Sequence, residues 1–357
     1  MFYTEAFTRL FMEKELMKEK TITPQSYKLE ELQRETSFGG AGEDTDDREI
    51  RIIDLYDFDN RREEIAEQLW LAATETGFFQ LTNHGIPSKE IEAAFSESGR
   101  FFDLPENIKA QYPRPKGVNA GWESRSQIRP STGTKDQKES YQITQYHMDN
   151  LWPTEDELPN FQANTLNFEH KCWEVGMKVL SCFADKLGFE RDFFTKAHNP
   201  HQDDYQSTLR LLHYFPTEGV TEQGNIWRAG AHTDFDCLTL LFQHEGHGGL
   251  QVCPGAEADT KRWTNIPPLP NVITCNIGDM LMRWSDDQLI SNLHRVRQPK
   301  IDEYCGSRHS VAFFCQANKK QIIQGPKKRY DPISAADFLS QRIQANFVDK
   351  ETGKPSV

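Results

Sequence analysis

The chain has 357 residues, and its 41 basic against 54 acidic side chains leave a formal net charge of −13. That length supplies one large domain or two modest ones, and the acidic balance argues against nucleic acid or an anionic membrane surface as a partner. No 18-residue apolar run is present, the start MFYTEAFTRLFMEKELMKEK has no signal-peptide centre, and the seven cysteines include no C-x-x-C, so the expectation is a soluble, reduced, cytoplasmic monomer or homodimer.

Phe7, Leu10 and Phe11 fit one face of a short helix, and FGGAGEDTDDREI (38–50) reads as a mobile linker, which sets residues 1–49 apart as an extension. Asp59 and Asn60 are N-cap candidates for a helix with Glu63 and Glu64 in its first turn and Ile65, Leu69, Ala72 and Ala73 on its apolar face; Gly77 can end it. FFQLT (78–82) reads as a buried strand. Ser88 opens a second helix with Ile91, Phe95 and Phe102 on one side, stopped by Leu104-Pro105. Residues 113–136, rich in Pro, Gly, Ser and Arg, read as a long loop of the kind that often serves function. Trp173, Gly176, Leu180, Phe183 and Leu187 mark a further helix closed by Gly188. The signal then changes to strands: STLRLLHYF, CLTLLFQ, GLQV, NVITCNI, MLMRW and HSVAFFC, with turns rather than helices between them, indicating an antiparallel sandwich or barrel. A last helix near 334–347 carries Leu339, Ile343 and Phe347 four apart.

His232 and Asp234 in AGAHTDFD, with His294 in SNLHRV, form the candidate chemical centre. On a strand, residues two apart project to the same side, so His232 and Asp234 would share a cavity from which Thr233 turns away. Two imidazoles and a carboxylate can cover one face of a metal and leave the other open, as in non-haem Fe(II) oxygenases; a zinc site with a bound water uses the same set. Fourteen positions beyond His294, Arg308 and Ser310 share a strand face. A guanidinium and a hydroxyl together suit the distal carboxylate of a dicarboxylic acid. Ala312 and Phe314 continue that face, so Phe314 is a candidate pocket wall for a planar or apolar substrate. Arg210, Leu212 and Tyr214 share another, making Arg210 a candidate for a substrate carbonyl or carboxylate. Arg228, just before the metal motif, is a candidate supporting residue.

GFFQLTNHGIP (77–87), FFDLPENIK (101–109), KESYQI (138–143), LRLLHYFP (209–216), AGAHTDFDCLTLLFQ (229–243), GGLQV (248–252), NIGDML (276–281), HRV (294–296) and RHS (308–310) occur in this order. In these motifs the sequence resembles the Fe(II)- and 2-oxoglutarate-dependent dioxygenases of the isopenicillin-N-synthase-like group, over roughly residues 50–347. The long turn before Arg308 is most similar to fungal-type members, including thymine 7-hydroxylase-like enzymes and natural-product oxidases. The resemblance implies a mainly β fold with flanking helices: a distorted double-stranded β-helix, or jelly roll, with an N-terminal α/β region. It implies an N-terminal dioxygenase region at 50–158, a jelly-roll region with C-terminal helix at 159–347, and a tail at 348–357. His232, Asp234 and His294 would bind iron, and Arg308 and Ser310 the 2-oxoglutarate C5 carboxylate. His84 in NHGI would be structural. Where many relatives place a tyrosine directly before the proline of LRLLHYFP, this chain has Phe215, which leaves Tyr214 as the candidate co-substrate contact.

The activity so implied needs Fe(II), 2-oxoglutarate and O2, with ascorbate in support. It couples oxidative decarboxylation to succinate and CO2, through Fe(IV)=O, with hydroxylation, desaturation or ring modification of a small molecule. The alternatives are an enzyme forming ethylene and succinate from 2-oxoglutarate itself, a relative that, like isopenicillin N synthase, uses no 2-oxoglutarate, a zinc hydrolase, and a non-catalytic binding protein on the same fold.

Overall fold

A computed structural model describes residues 42–45, 48–127, 135–217, 227–254, 261–300 and 302–345 of the chain. The proposed helix at Phe7–Phe11, residues 38–41 and 46–47 of the expected linker, part of the 113–136 segment, Phe347 and the side chain of Ile343 lie outside the described residues; the described part of the 38–50 stretch is not a free linker, because Glu43–Thr45 pairs as a strand with Arg262–Thr264. Two short strands, β1 (Glu43–Thr45) and β2 (Ile52–Asp54), precede helix α1 (Arg62–Glu75), strand β3 (Phe78–Thr82), helix α2 (Ser88–Phe102) and the single turn α3 (Glu106–Lys109). Strands β4 (Gly121–Ser124) and β5 (Lys138–Ile143) lead to helix α4 (Phe161–Leu187) and the short α5 (Phe193–Ala197). The remainder is β6 (Thr208–Tyr214), β7 (Ala229–His232), β8 (Leu238–Gln243), β9 (Leu250–Cys253), β10 (Arg262–Asn265), β11 (Ile273–Ile277), α6 (Asp279–Trp284), β12 (Leu293–Val296), β13 (Arg308–Cys315), the β14–β15 pair (Ile322–Ile323, Ile333–Ser334) and helix α7 (Ala335–Ala345).

The strands form two facing sheets, the jelly-roll arrangement. The larger runs β2-β3-β11-β8-β13-β6-β5-β4 and the smaller β1-β10-β9-β12-β7. Pairing is antiparallel except for β1–β10 and β2–β3, so the two N-terminal strands each extend one sheet edge in parallel. Strand alternation assigns the two faces of the larger sheet. On β13, Val311, Phe313 and Cys315 are fully buried and pack with Leu209, Leu211, Leu240 and Phe242 of its neighbours against α2 and α4. Arg308, Ser310, Ala312 and Phe314 face the other way, in register with Tyr214, Leu212, Arg210 and Thr208, and this inner face looks onto the smaller sheet.

Local chemistry accounts for the helices and for several departures from expectation. Ile65, Leu69, Ala72 and Ala73 are buried along α1, and Gly77, at φ +66°, receives the chain where a Cβ would collide with the Ile290 carbonyl. Asp59 and Asn60 do not cap α1: its N-cap is Arg61, without a side-chain cap bond. The expected long loop contains β4, whose Glu123 pairs with Ser140. MLMRW is not a strand but most of α6, a six-residue helix buried on every side. The Trp173–Leu187 helix starts twelve residues earlier, at Phe161. Among the described residues, no helix is long and apolar enough to cross a membrane.

Candidate active site

A cavity of about 130 Å³ opens between the inner faces of the two sheets. The smaller sheet contributes His232 at the end of β7 and His294 on β12, directly opposite each other in register. Asp234 lies past the end of β7, so the alternation that pairs it with His232 in the sequence holds only as far as the strand; the turn into β8 completes the placement. Asp234 Oδ1 is 3.9 Å from His232 Nε2 and 3.6 Å from His294 Nε2. Among the described residues these three form the one group whose ligand atoms, all within 4.8 Å of one another, could hold a metal ion.

The surrounding bonds set each donor's chemistry. His232 Nδ1 donates to the Gly230 carbonyl at 2.7 Å and His294 Nδ1 to the Asn292 carbonyl at 3.3 Å. A proton on Nδ1 leaves the Nε2 lone pair aimed at Asp234, the tautomer a metal requires. Thr239 Oγ1 and Asn276 Nδ2 both donate to Asp234 Oδ2, at 2.6 and 2.8 Å, and leave Oδ1 toward the histidines. Burial alone would push the Asp234 carboxyl up, but His294, Thr239 and Asn276 hold it below the usual carboxylate range. Burial and the Asp234 charge push Asp236 well above that range. A protonated Asp236 can donate to the Thr239 oxygen 3.0 Å away, freeing Thr239's own hydrogen for Asp234.

Arg308 and Ser310 lie further along the inner face, 1% and 0% exposed. They are not among the residues lining the open cavity, whose nearest members by register are Tyr214 and Leu212. Arg308 Nε donates to the His247 carbonyl at 2.9 Å and Nη2 to Gln243 Oε1 at 2.8 Å, while its guanidinium stacks 4.6 Å over the Tyr214 ring. Its third nitrogen, Nη1, and the Ser310 hydroxyl are buried with no hydrogen-bond partner. Burial pushes the Arg308 pKa down, with Tyr214 acting against that shift. A buried cation with one open donor beside an open hydroxyl fits an anion with two acceptor oxygens.

The cavity wall away from the histidines is built by β4, β5, β6 and β13. Phe314 and Arg210 both line it, with the guanidinium 4.9 Å from the ring centroid, and Arg210 Nη2 donates to Asn119 Oδ1 at 3.1 Å. Glu123, Lys138, Phe235, Gln316 and Leu339 also line the cavity. Glu123 accepts from Arg114 at 2.8 Å and Gln142 at 2.8 Å; burial favours its neutral form, but Arg114, Arg210 and Lys138 hold its carboxyl below the usual range. Arg228 supports the turn before β13 rather than the metal motif, donating to the Gly306 carbonyl at 3.0 Å. His84 is tied to backbone, accepting from the Ile86 N–H and donating to the Asn271 carbonyl.

Sequence reasoning singled out neither Thr239 nor Asn276. Asn276 was detectable as the polar residue inside the apolar run ITCNI, on the strand face that bears no core side chain.

Residues 50–158 match the family model for the N-terminal region of the non-haem dioxygenases of morphine synthesis, and residues 205–317 that of the 2OG-Fe(II) oxygenase superfamily. A proline hydroxylase of Petromyces alliaceus, buaE, is 31% identical over 295 residues, covering 77% of this chain and 90% of its own. A 2-oxoglutarate-dependent dioxygenase of Didymella fabae is 32% identical over 298 residues, covering 78% and 86%. Among solved structures, the full-length thymine 7-hydroxylase of Neurospora crassa in complex with alpha-KG and thymine superposes with a TM-score of 0.73 at 29% identity, over 84% of this chain and 97% of that one. With two matched regions spanning both halves of the fold, and relatives of this identity aligned over most of their length, the chain belongs to the Fe(II)- and 2-oxoglutarate-dependent oxygenases.

Proposed function

We propose that this enzyme oxidises a small planar or compact organic molecule at a site made by His232, Asp234 and His294, with 2-oxoglutarate held at its far end by Arg308 and Ser310. The observation that carries the reading is the pair of buried, unpartnered donors, Arg308 Nη1 and Ser310 Oγ, on the sheet face opposite the histidines. The bound metal, with 2-oxoglutarate and O2, supplies the oxidation that is coupled to release of succinate and CO2.

The chain's own residues position the reactants. The Nδ1 bonds of the two histidines fix both rings, and Thr239 with Asn276 fixes the carboxylate, so the donor set is organised before any ligand arrives. Arg308 and Ser310 bind the co-substrate C5 carboxylate, and Tyr214 braces the guanidinium from below. Phe314 offers its ring to a planar substrate, and Arg210 points a donor at a carbonyl or carboxylate on it. The Neurospora relative's complexes with thymine and with 5-formyluracil concern ligands of that shape and polarity.

The test is succinate release from 2-oxoglutarate with Fe(II), ascorbate and air, over pooled small molecules, beside an Asp234→Ala control. Succinate that rises with one pool and vanishes in the control is the expected result. An Asp234→Ala protein that turns over like wild type, or a wild type that fails to bind 2-oxoglutarate, would overturn the reading.

A further inference from the structure

Helix α7 brings one fully buried charge to the metal loop. Arg342 Nη2 lies 2.6 Å from Asp279 Oδ2, and both side chains are 0% exposed. The same nitrogen donates to Thr233 Oγ1 at 2.8 Å, and Thr233 donates in turn to Asp279 Oδ2 at 2.9 Å. Thr233 is the residue between His232 and Asp234. The Arg342 guanidinium also stacks 4.6 Å over the Phe235 ring, and the Asp279 N–H donates to the Asp234 carbonyl at 2.8 Å. Three consecutive residues, Thr233, Asp234 and Phe235, are thus gripped from one side by an ion pair that makes no use of their metal-facing atoms. Three residues earlier on α7, Leu339 lines the substrate cavity.

We propose that Arg342 is a positioning residue for the metal loop, and that through it helix α7 links contact with a substrate at Leu339 to the geometry of His232 and Asp234. The proposal rests on the reading of those residues as metal ligands. The physical case is that Thr233 is bonded to both members of a buried ion pair. Its two charges must stay together, so the loop bonded to both has one place to be. The linkage is reciprocal: a metal that fixes the loop must also fix α7.

Apo-protein is titrated with Co(II), read by its visible absorption, with thermal melting in parallel. Arg342→Ala leaves Asp279 buried without its partner and can unfold for that reason alone, so the informative variant is Arg342→Met/Asp279→Asn, which removes both charges. Its expected behaviour is a melting temperature near wild type with Co(II) binding weakened about 10- to 100-fold and an altered Co(II) band shape. Thr233→Val, which keeps the ion pair, is expected to show a smaller loss in the same direction. Hydrogen exchange supplies the converse: Co(II) should slow exchange of the α7 amides in wild type and not in the double variant. A folded double variant with wild-type Co(II) affinity and spectrum overturns the positioning role, as does α7 exchange unmoved by Co(II) in wild type. Asp234→Ala separates the two readings. If it abolishes Co(II) binding while the double variant binds normally, only the Arg342 proposal fails; if it binds normally too, the ligand assignment fails and the proposal with it.

Discussion

Replacing Arg308 by leucine should separate the needs of the fold from the needs of the site. In the free protein the guanidinium is 1% exposed, has no carboxylate partner among the described residues, and leaves Nη1 without a bond. A buried cation in that state costs stability, and burial pushes its pKa down accordingly. Leucine removes that cost, although the His247 carbonyl and Gln243 Oε1 each lose a donor. The melting temperature of the free protein should therefore hold or rise. Binding of 2-oxoglutarate should weaken. The variant keeps the Ser310 hydroxyl and loses the bond from Nη1, and a hydrogen bond between charged groups is worth about 1.5–3 kcal/mol. Its loss predicts a fall in affinity of roughly 10- to 10²-fold at about 1.4 kcal/mol per decade. The assay is thermal melting with and without 2-oxoglutarate, with succinate release against 2-oxoglutarate concentration. Wild type should gain a ligand-dependent shift larger than the variant's. An Arg308→Leu protein that is strongly destabilised when free yet keeps its 2-oxoglutarate affinity would refute the reasoning, because the arginine would then be a structural group.

Phe314→Ala and Arg210→Leu should each lower product formation at least tenfold while leaving the KM for 2-oxoglutarate near wild type, since Phe314 stands six positions along β13 from Arg308 and Arg210 is in register with Ala312; equal losses in both parameters would place them on the co-substrate instead. His198, fully buried, is held by that burial at about 4 against an ordinary 6.5. Its native form binds fewer protons than the unfolded chain in that window, so its contribution is intact above about pH 6.5 and is lost as pH falls toward 4. The stability advantage of wild type over His198→Gln should shrink by on the order of 2–3 kcal/mol from pH 7.5 to 4.5, measured by urea unfolding, and a constant difference would contradict it. Gly176→Ala puts a Cβ 2.5 Å from Cys315 Sγ in the core. The crowding should cost about 1–3 kcal/mol, against a helix gain of about 1 kcal/mol; adding Cys315→Ala should cost less than the sum of the two single changes, and additivity would refute the contact.

The readable part of this fold was the part whose side chains divide cleanly between core and solvent or cavity. β3, β6, β8, β11 and β13 were legible because their alternate residues are leucine, isoleucine, phenylalanine, valine or cysteine in the core. β4 was not, because its inward residue is Glu123, a cavity carboxylate, so the strand carries no apolar alternation. MLMRW misled for the opposite reason: α6 is too short to show a helical period and buried all round, so it reads as a core strand. His232 with Asp234, and Arg308 with Ser310, could be picked out because each pair's spacing is local, and His294, sixty positions beyond Asp234, joined them through the order of motifs that carries the resemblance. Arg342 could not. Its partner is 63 positions away on α6, and an arginine on an amphipathic helix looks the same in sequence whether it meets water or a buried aspartate.

The alternation along β13 has a consequence for how such an enzyme can change. Odd positions on this strand belong to the helix-backed core, and even positions to the reaction chamber. Neighbouring strands keep the same division in register, Ala312 lying beside Arg210 of β6 and Leu241 of β8, so the chamber's lining and the scaffold's packing occupy separate sets of positions in one stretch of chain. Substitution at an even position exchanges what the chamber can accept without disturbing the interlocked core behind it. Insertion or deletion of one residue inside the strand does the reverse, exchanging the two sets at once. Novelty in this architecture is therefore to be sought in replacements within the strands and in length changes between them, where β12 and β13 are already joined by an extended turn clasped by Arg297 and Glu303.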